Sequence, residues 1–218
     1  MPERQLRVLI VDWGGVLTTL PQDSMVAWAE GHGIDYGQFR RVMREWLGQH
    51  AGAEAVQNPI FALERGEIEV PHFEEQLAAR LHTLDGGPVP AEGLLARMFA
   101  HFEHAPDMSN VVRRARRAGL RTALLSNSWG NEYPRDGWDE MFDVVVISGE
   151  VGMRKPEPEI FWHTLSALGC RPEEAVFVDD LPHNVRGAAE LGIVGVHHRS
   201  YDETVAELEA LFGTPLRG

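Results

Sequence analysis

Residues 8–18 read VLIVDWGGVLT. A short apolar run ends abruptly in one acid, Asp12, followed by Trp13, Gly14 and Gly15. Residues 6–12 hold a short apolar run, continuous over 8–11, which is the pattern of a strand covered on both faces. In an open parallel sheet, ligands collect at the carboxyl ends of the strands. A lone carboxylate at such an end, with two glycines beside it, therefore marks a place where chemistry is expected.

The same texture recurs four times, at TALLS (122–126), DVVVIS (143–148), AVFVD (175–179) and GIVGVH (192–197). Helical patterns separate these runs, at roughly 107–118, 156–168, 182–191 and 201–212. Asp107 and Pro156 fit helix starts, and Gly119, Gly169 and Gly192 fit helix ends. Strand, helix and strand in that rhythm predict right-handed crossovers and an α/β fold, a doubly wound parallel sheet with helices on both faces.

The first interval breaks the rhythm. Between about 20 and 104 no stretch reads as a strand. SMVAWAEGHG, DYGQFRRVMREWLGQ, HFEEQLAARLHT and AEGLLARMFAHFE all read as helical, with GGPVP at 86–90 as punctuation. Such an interval is too long for a loop. It predicts an inserted α-helical cap over 20–104, with the core domain formed by 1–19 and 105–218.

Composition narrows the partners. The chain has 218 residues, enough for a sizeable core, and a formal net charge of −13. That charge argues against nucleic acid as a partner. The arginines of VVRRARRAGLR (111–121) read as a solvated helix face. The single cysteine, Cys170, excludes an internal disulfide framework and, with no secretory leader pattern, points to a cytoplasmic protein. The run from Leu6 to Val11 is too short to span a membrane. Nothing in the sequence indicates an oligomeric state.

The residues after each strand form a chemical set. Strand one delivers Asp12, the next Ser126 and Asn127, the third a loop carrying Lys155, and the fourth Asp179 and Asp180. Clustered carboxylates repel unless a cation joins them, and hard oxygen ligands suit Mg²⁺. A carboxylate can also attack phosphorus and form an aspartyl phosphate. Ser126, Asn127 and Lys155 would give the phosphoryl oxygens a hydroxyl, an amide and a positive charge. Gly14 and Gly15 leave the backbone free to approach phosphate and metal. Lys155 is the only lysine in the chain. Its compact ammonium is not interchangeable with the arginine used everywhere else.

With these residues in place, the chain resembles the haloacid dehalogenase-like (HAD) hydrolase superfamily. DWGGVL matches the first motif, LLSNS the second, RKPEPEIF the third and VFVDDLPHNVRGA the fourth, in order and across nearly the whole chain. The helical insertion resembles the C1 cap of subfamily IA, and QNPIFALERGEIEVPHFEEQL (57–77) is similar to caps of bacterial sugar-phosphate phosphatases, including α-glucose-1-phosphate phosphatases. The resemblance implies a Mg²⁺-dependent phosphatase of a small phosphorylated metabolite. It implies Asp12 as nucleophile and metal ligand, the Gly14 carbonyl as a second ligand, and Asp180 completing the metal's protein ligands. Asp179 would orient Lys155 or also face the metal, Ser126, Asn127, Lys155 and Gly15 would meet the phosphoryl group, and Asn184 would support the fourth-motif loop.

One position departs from the pattern. Most phosphatases of the superfamily carry a second aspartate two residues after the nucleophile, and here Gly14 stands there. That acid protonates the leaving group and later activates water. Its absence leaves two alternatives open, a slow or inert phosphate- and metal-binding protein and a haloacid dehalogenase. The acidic pair Asp179–Asp180 argues against the dehalogenase.

Overall fold

The computed structural model describes residues 5–47 and 58–218. At its centre lies one sheet of five parallel strands: β1 (Val8–Val11), β2 (Arg121–Ser126), β3 (Val144–Ile147), β4 (Ala175–Asp179) and β5 (Val194–His197). Their spatial order is β3-β2-β1-β4-β5, the doubly wound arrangement expected from the alternation of runs.

Side chains alternate across each strand, so each strand feeds two cores. Leu9, Val11, Leu124, Val176 and Val178 face one layer, with Val111, Val112 and Ala115 of helix Pro106–Arg117 and Val205 and Leu208 of helix Tyr201–Phe212. Val8, Ile10, Ala123, Leu125 and Phe177 face the other. There they meet Ile160, Phe161 and Leu165 of helix Pro158–Leu168 and Ala188 of helix Pro182–Glu190. Burial on both faces is why these strands read as unbroken apolar runs.

Register sets the site. Val11 pairs with Leu124 on one side and Val178 on the other. The next residue of β1, Asp12, donates its N–H to the Val178 carbonyl at 2.9 Å. Asp12 therefore stands level with Asp179, and Ser126 lies two residues beyond Leu124. The four helical segments of the sheet domain begin and end within about two residues of expectation. Pro156 is an exception: it lies in the loop, after a cis peptide bond, and Pro158 opens the helix.

Between β1 and helix Pro106–Arg117 the described residues contain helices and isolated bridges but no strand. Trp28, Phe39, Trp46, Ile60, Phe73 and Leu77 belong to a separate apolar cluster there, which also takes in Leu94 and Met98. Helix Pro21–Gly31, helix Tyr36–Leu47, helix Val70–Ala78 and helix Leu94–Phe99 correspond to the four patterns seen in sequence. A fifth, Pro59–Glu64, does not show in the apolar periodicity because it is only six residues long. Its signal is local: the Asn58 side chain accepts from the Ile60 and Phe61 N–H groups, and Pro59 sits at the first helical position. Gly48, Gln49 and Gln57, which the sequence patterns included, lie outside the described residues.

Helix Pro182–Glu190 holds the fourth-motif loop against the third through a close approach at Gly187. A Cβ there would lie 2.8 Å from Pro156 Cβ and 3.0 Å from the Pro156 carbonyl oxygen. Overpacking of this kind costs ~1–3 kcal/mol, against a helix-propensity gain of up to ~1 kcal/mol for alanine. Gly187→Ala is expected to lower the urea midpoint with an unchanged m-value, measured by equilibrium unfolding.

Candidate active site

The carboxyl ends of β1 and β4 bring Asp12 and Asp179 side by side, and Lys155 closes the gap between them. Its Nζ lies 2.8 Å from Asp12 Oδ1 and 2.7 Å from Asp179 Oδ2. The lysine is 1% exposed, and Asp179 is fully buried. A second bond to Asp12 Oδ1 comes from the Trp13 N–H at 2.7 Å. The ammonium also lies 5.4 Å from the centre of the Phe177 ring.

Lys155 reaches this position because its backbone is clamped. Its N–H donates to Asn127 Oδ1 at 2.9 Å, and its carbonyl accepts from Asn127 Nδ2 at 3.0 Å. Both the oxygen and the nitrogen of the Asn127 amide, the side chain expected to meet phosphate, bond the Lys155 backbone, and Asn127 also lines the cavity above Asp12. Asp179 is fixed just as firmly. The Leu181 N–H donates to its Oδ1 at 2.8 Å, and Asn184 Nδ2 lies 3.1 Å from both of its oxygens. Asn184 thus supports the fourth-motif loop through Asp179.

The electrostatics show an excess of negative charge. Burial, with the charges of Asp179 and Asp180, pushes the Asp12 carboxyl up to about 8 against the pull of Lys155. Burial and Asp179 push Asp180 up to about 7. Burial alone would lower Lys155, but Asp12 and Asp179 outweigh it and raise its pKa, so the ammonium stays charged.

One carboxylate oxygen from each of Asp12, Asp179 and Asp180 lies within 4.8 Å of the other two. Three acids against one ammonium are a donor set for a hard divalent cation. Asn184 Oδ1 is a buried acceptor with no partner among the described residues, which fits a hydrated ion beside it. Gly14 and Gly15 sit where the sequence placed them, beside these acids. Gly15 has φ +73°, and a Cβ there would lie 2.6 Å from Asp180 Oδ2, so only glycine lets the loop pass this close. The Gly15 N–H donates to Thr18 Oγ1 at 3.1 Å. At Gly14 a Cβ would meet nothing within 4 Å.

Ser126 is buried at the end of β2, with its Oγ 3.0 Å from the Tyr133 hydroxyl. The sequence reading missed Tyr133. It lies in an irregular loop with no periodicity, and its ring packs on Trp13 at 5.7 Å between centres. A buried group whose pairing the sequence did not show joins the helical insertion to the core. Arg154 Nε donates to Glu64 Oε2, and Trp129 Nε1 donates to Glu64 Oε1 at 3.0 Å. Arg154 and Glu64 are both buried, and the guanidinium lies 3.7 Å above the Phe61 ring. Trp13 and Trp129 each pack on other rings and line the cavity above Asp12.

A profile of haloacid dehalogenase-like hydrolases matches residues 6–192. The chain belongs to this family. It is 32% identical over 220 residues to acyl-CoA dehydrogenase family member 10 of Mus musculus, a match covering 98% of this chain and 20% of that protein. It is 35% identical over 134 residues to the phosphoserine phosphatase of Thermus thermophilus, covering 58% of this chain and 54% of that one. The chain spans well under half the length of the first curated relatives it matches. Among solved structures, a HAD family enzyme of Bacteroides thetaiotaomicron in complex with magnesium and inorganic phosphate shares the fold. Its TM-score is 0.63 at 24% identity, over 89% of this chain and 94% of that one. As a HAD-like hydrolase, this chain places its four sequence motifs on one edge of the sheet. No helix among the described residues is long and apolar enough to cross a membrane.

Removing the ammonium isolates the charge problem. Lys155→Met leaves Asp12 and Asp179 buried without their cation, and breaking such a pair costs ~3–5 kcal/mol. The loss is expected to be largest above pH 8, where wild-type Asp12 is ionised, and to shrink as pH falls and Asp12 protonates. Urea unfolding of wild type and variant at pH 5.5 and pH 8.5 measures the difference.

Proposed function

We propose that this chain is a Mg²⁺-dependent phosphatase that hydrolyses a small phosphorylated metabolite through an aspartyl phosphate on Asp12, in the cytoplasm. The observation that carries the reading is the buried triad of Asp12, Lys155 and Asp179, with Asp180 at its edge. A carboxylate is held rigidly at a strand end beside one ammonium and a surplus of acids. The names of the phosphatase relatives agree with it.

Asp12 would attack the phosphorus of the bound monoester, forming a P–O bond as the P–O bond to the alcohol breaks. Lys155 and the Ser126 hydroxyl would take the phosphoryl oxygens, and Asn127 would act by holding Lys155. Water would then attack phosphorus, break the acyl phosphate and release inorganic phosphate and free Asp12. Asp12, Asp180 and the Gly14 carbonyl would hold Mg²⁺, while Asp179 is engaged in orienting Lys155. The cation would offset the excess carboxylate charge and polarise the phosphoryl group. The helical segment over 20–104 would act as a cap, joined to the core through Glu64 and Arg154, and would exclude bulk water.

Phosphate release from p-nitrophenyl phosphate tests the reading. It is expected with Mg²⁺, to vanish in EDTA, and to fall to background in Asp12→Asn. Mg²⁺ is also expected to raise the melting temperature of wild type and not that of Asp180→Asn. Activity indifferent to both EDTA and Asp12→Asn would overturn it.

Gly14 gives a second test. The site has room for a side chain, and the backbone there carries no positive φ. A general acid and base typically contributes ~10²–10⁴-fold. Gly14→Asp is expected to fold normally and to raise kcat by about 10²-fold, read by the same assay at saturating substrate.

A further inference from the structure

Above Asp12 lies a cavity of about 740 Å³, far larger than a phosphate ion needs. Its floor is polar and belongs to the strand ends. Its walls are different. Leu20, Met25, Tyr36, Phe39, Met43 and Phe102, all from the helical insertion or its edge, line it. Four large hydrophobic residues are markedly exposed among the described residues, and two of them, Leu20 at 42% and Leu181 at 43%, open onto this cavity. Exposed apolar side chains lining a pocket beside a catalytic floor are surface that a ligand can cover.

The polar groups deep in the wall are already engaged. Glu64 accepts from both Arg154 and Trp129, and Asn131 Oδ1 accepts from the Trp129 N–H at 3.3 Å. Among the described residues, the other polar side chains of the insertion's helices on this lining include Gln22, Arg40 and Arg44, all exposed to solvent. A polyol seated against Leu20, Met25, Phe39 and Met43 would bury hydroxyls on side chains that offer no hydrogen bond, which is unfavourable. A hydrocarbon chain or ring would lose no hydrogen bond and would remove the apolar wall from water.

We propose that the group esterified to phosphate is an aliphatic hydrocarbon, not a sugar, and that the helical insertion selects it through the wall around Leu20, Met25 and Met43. This rests on reading the strand-end acids and Lys155 as the phosphate-binding floor.

The test is binding of straight-chain alkylphosphonates, ethyl to octyl, to the wild-type chain with Mg²⁺, followed by calorimetry. Their P–C bond removes turnover from the readout. Affinity is expected to rise about fourfold per methylene (~0.8 kcal/mol each) before levelling off. It should exceed the affinity for the phosphonate analogue of a hexose phosphate by at least 10²-fold at octyl. Leu20→Glu, a change at an exposed position, is expected to flatten the chain-length dependence. An affinity independent of chain length, or tighter for the hexose analogue, overturns the proposal. Hydrolysis of octyl phosphate and p-nitrophenyl phosphate is measured in parallel. A steep chain-length dependence with neither ester hydrolysed sustains the hydrocarbon ligand and refutes the phosphatase. Hydrolysis with a flat dependence does the reverse.

Discussion

Lys155 holds a buried ammonium between Asp12 and Asp179, and most of the molecule is arranged to keep it there. Burying a charge is expensive unless it is paired and its remaining hydrogen bonds are satisfied. Here the carboxylates come from two adjacent strands, so the pair forms only when β1 and β4 are in register. The ammonium arrives from a loop after β3, so it also requires that β3 be docked on β2. Asn127 and Asn184 supply the fixing bonds from the loop after β2 and from the helix after β4. One ion cluster therefore couples four strands.

That arrangement leaves a charge imbalance. Two carboxylates are offset by one ammonium, and a third, Asp180, stands beside them. Burial is the larger cause that raises the Asp12 and Asp180 carboxyls, and the deficit of positive charge adds to it. In the proposed function, a divalent cation and the electropositive phosphorus of a substrate are drawn to the same deficit. The structure thus holds the Asp12 carboxylate in a high-energy setting and supports it with bonds made elsewhere.

The helical insertion has a core of its own and a polar joint to the sheet. Its own apolar cluster holds it together, and its contact with the core includes the buried Glu64–Arg154 pair, the Trp129 hydrogen bond and the Arg65–Glu157 pair. Arg154 is the neighbour of Lys155 in sequence. One turn of loop therefore serves both the strand-end site and the joint to the insertion, which ties the position of one to the other.

Much of this was legible in the sequence because it is local. Five apolar runs ending in polar residues specify a parallel sheet, since burial on both faces leaves no room for alternation. The acids follow their strands directly, so their convergence follows from the topology rule for strand ends. Tyr133 and the short helix Pro59–Glu64 escaped because neither has a periodic pattern. Glu64 and Arg154 lie 90 residues apart, and no spacing rule joins them. The sequence by itself determined the sheet, the strand-end acids, the lone lysine and the helical character of the insertion. Only the tertiary structure decided that Asn127 serves the lysine's backbone, that Asp179 is fully hydrogen-bonded, and that apolar side chains of the insertion line the cavity. Those facts depend on where separate elements dock, and docking is set by side-chain packing across long sequence distances.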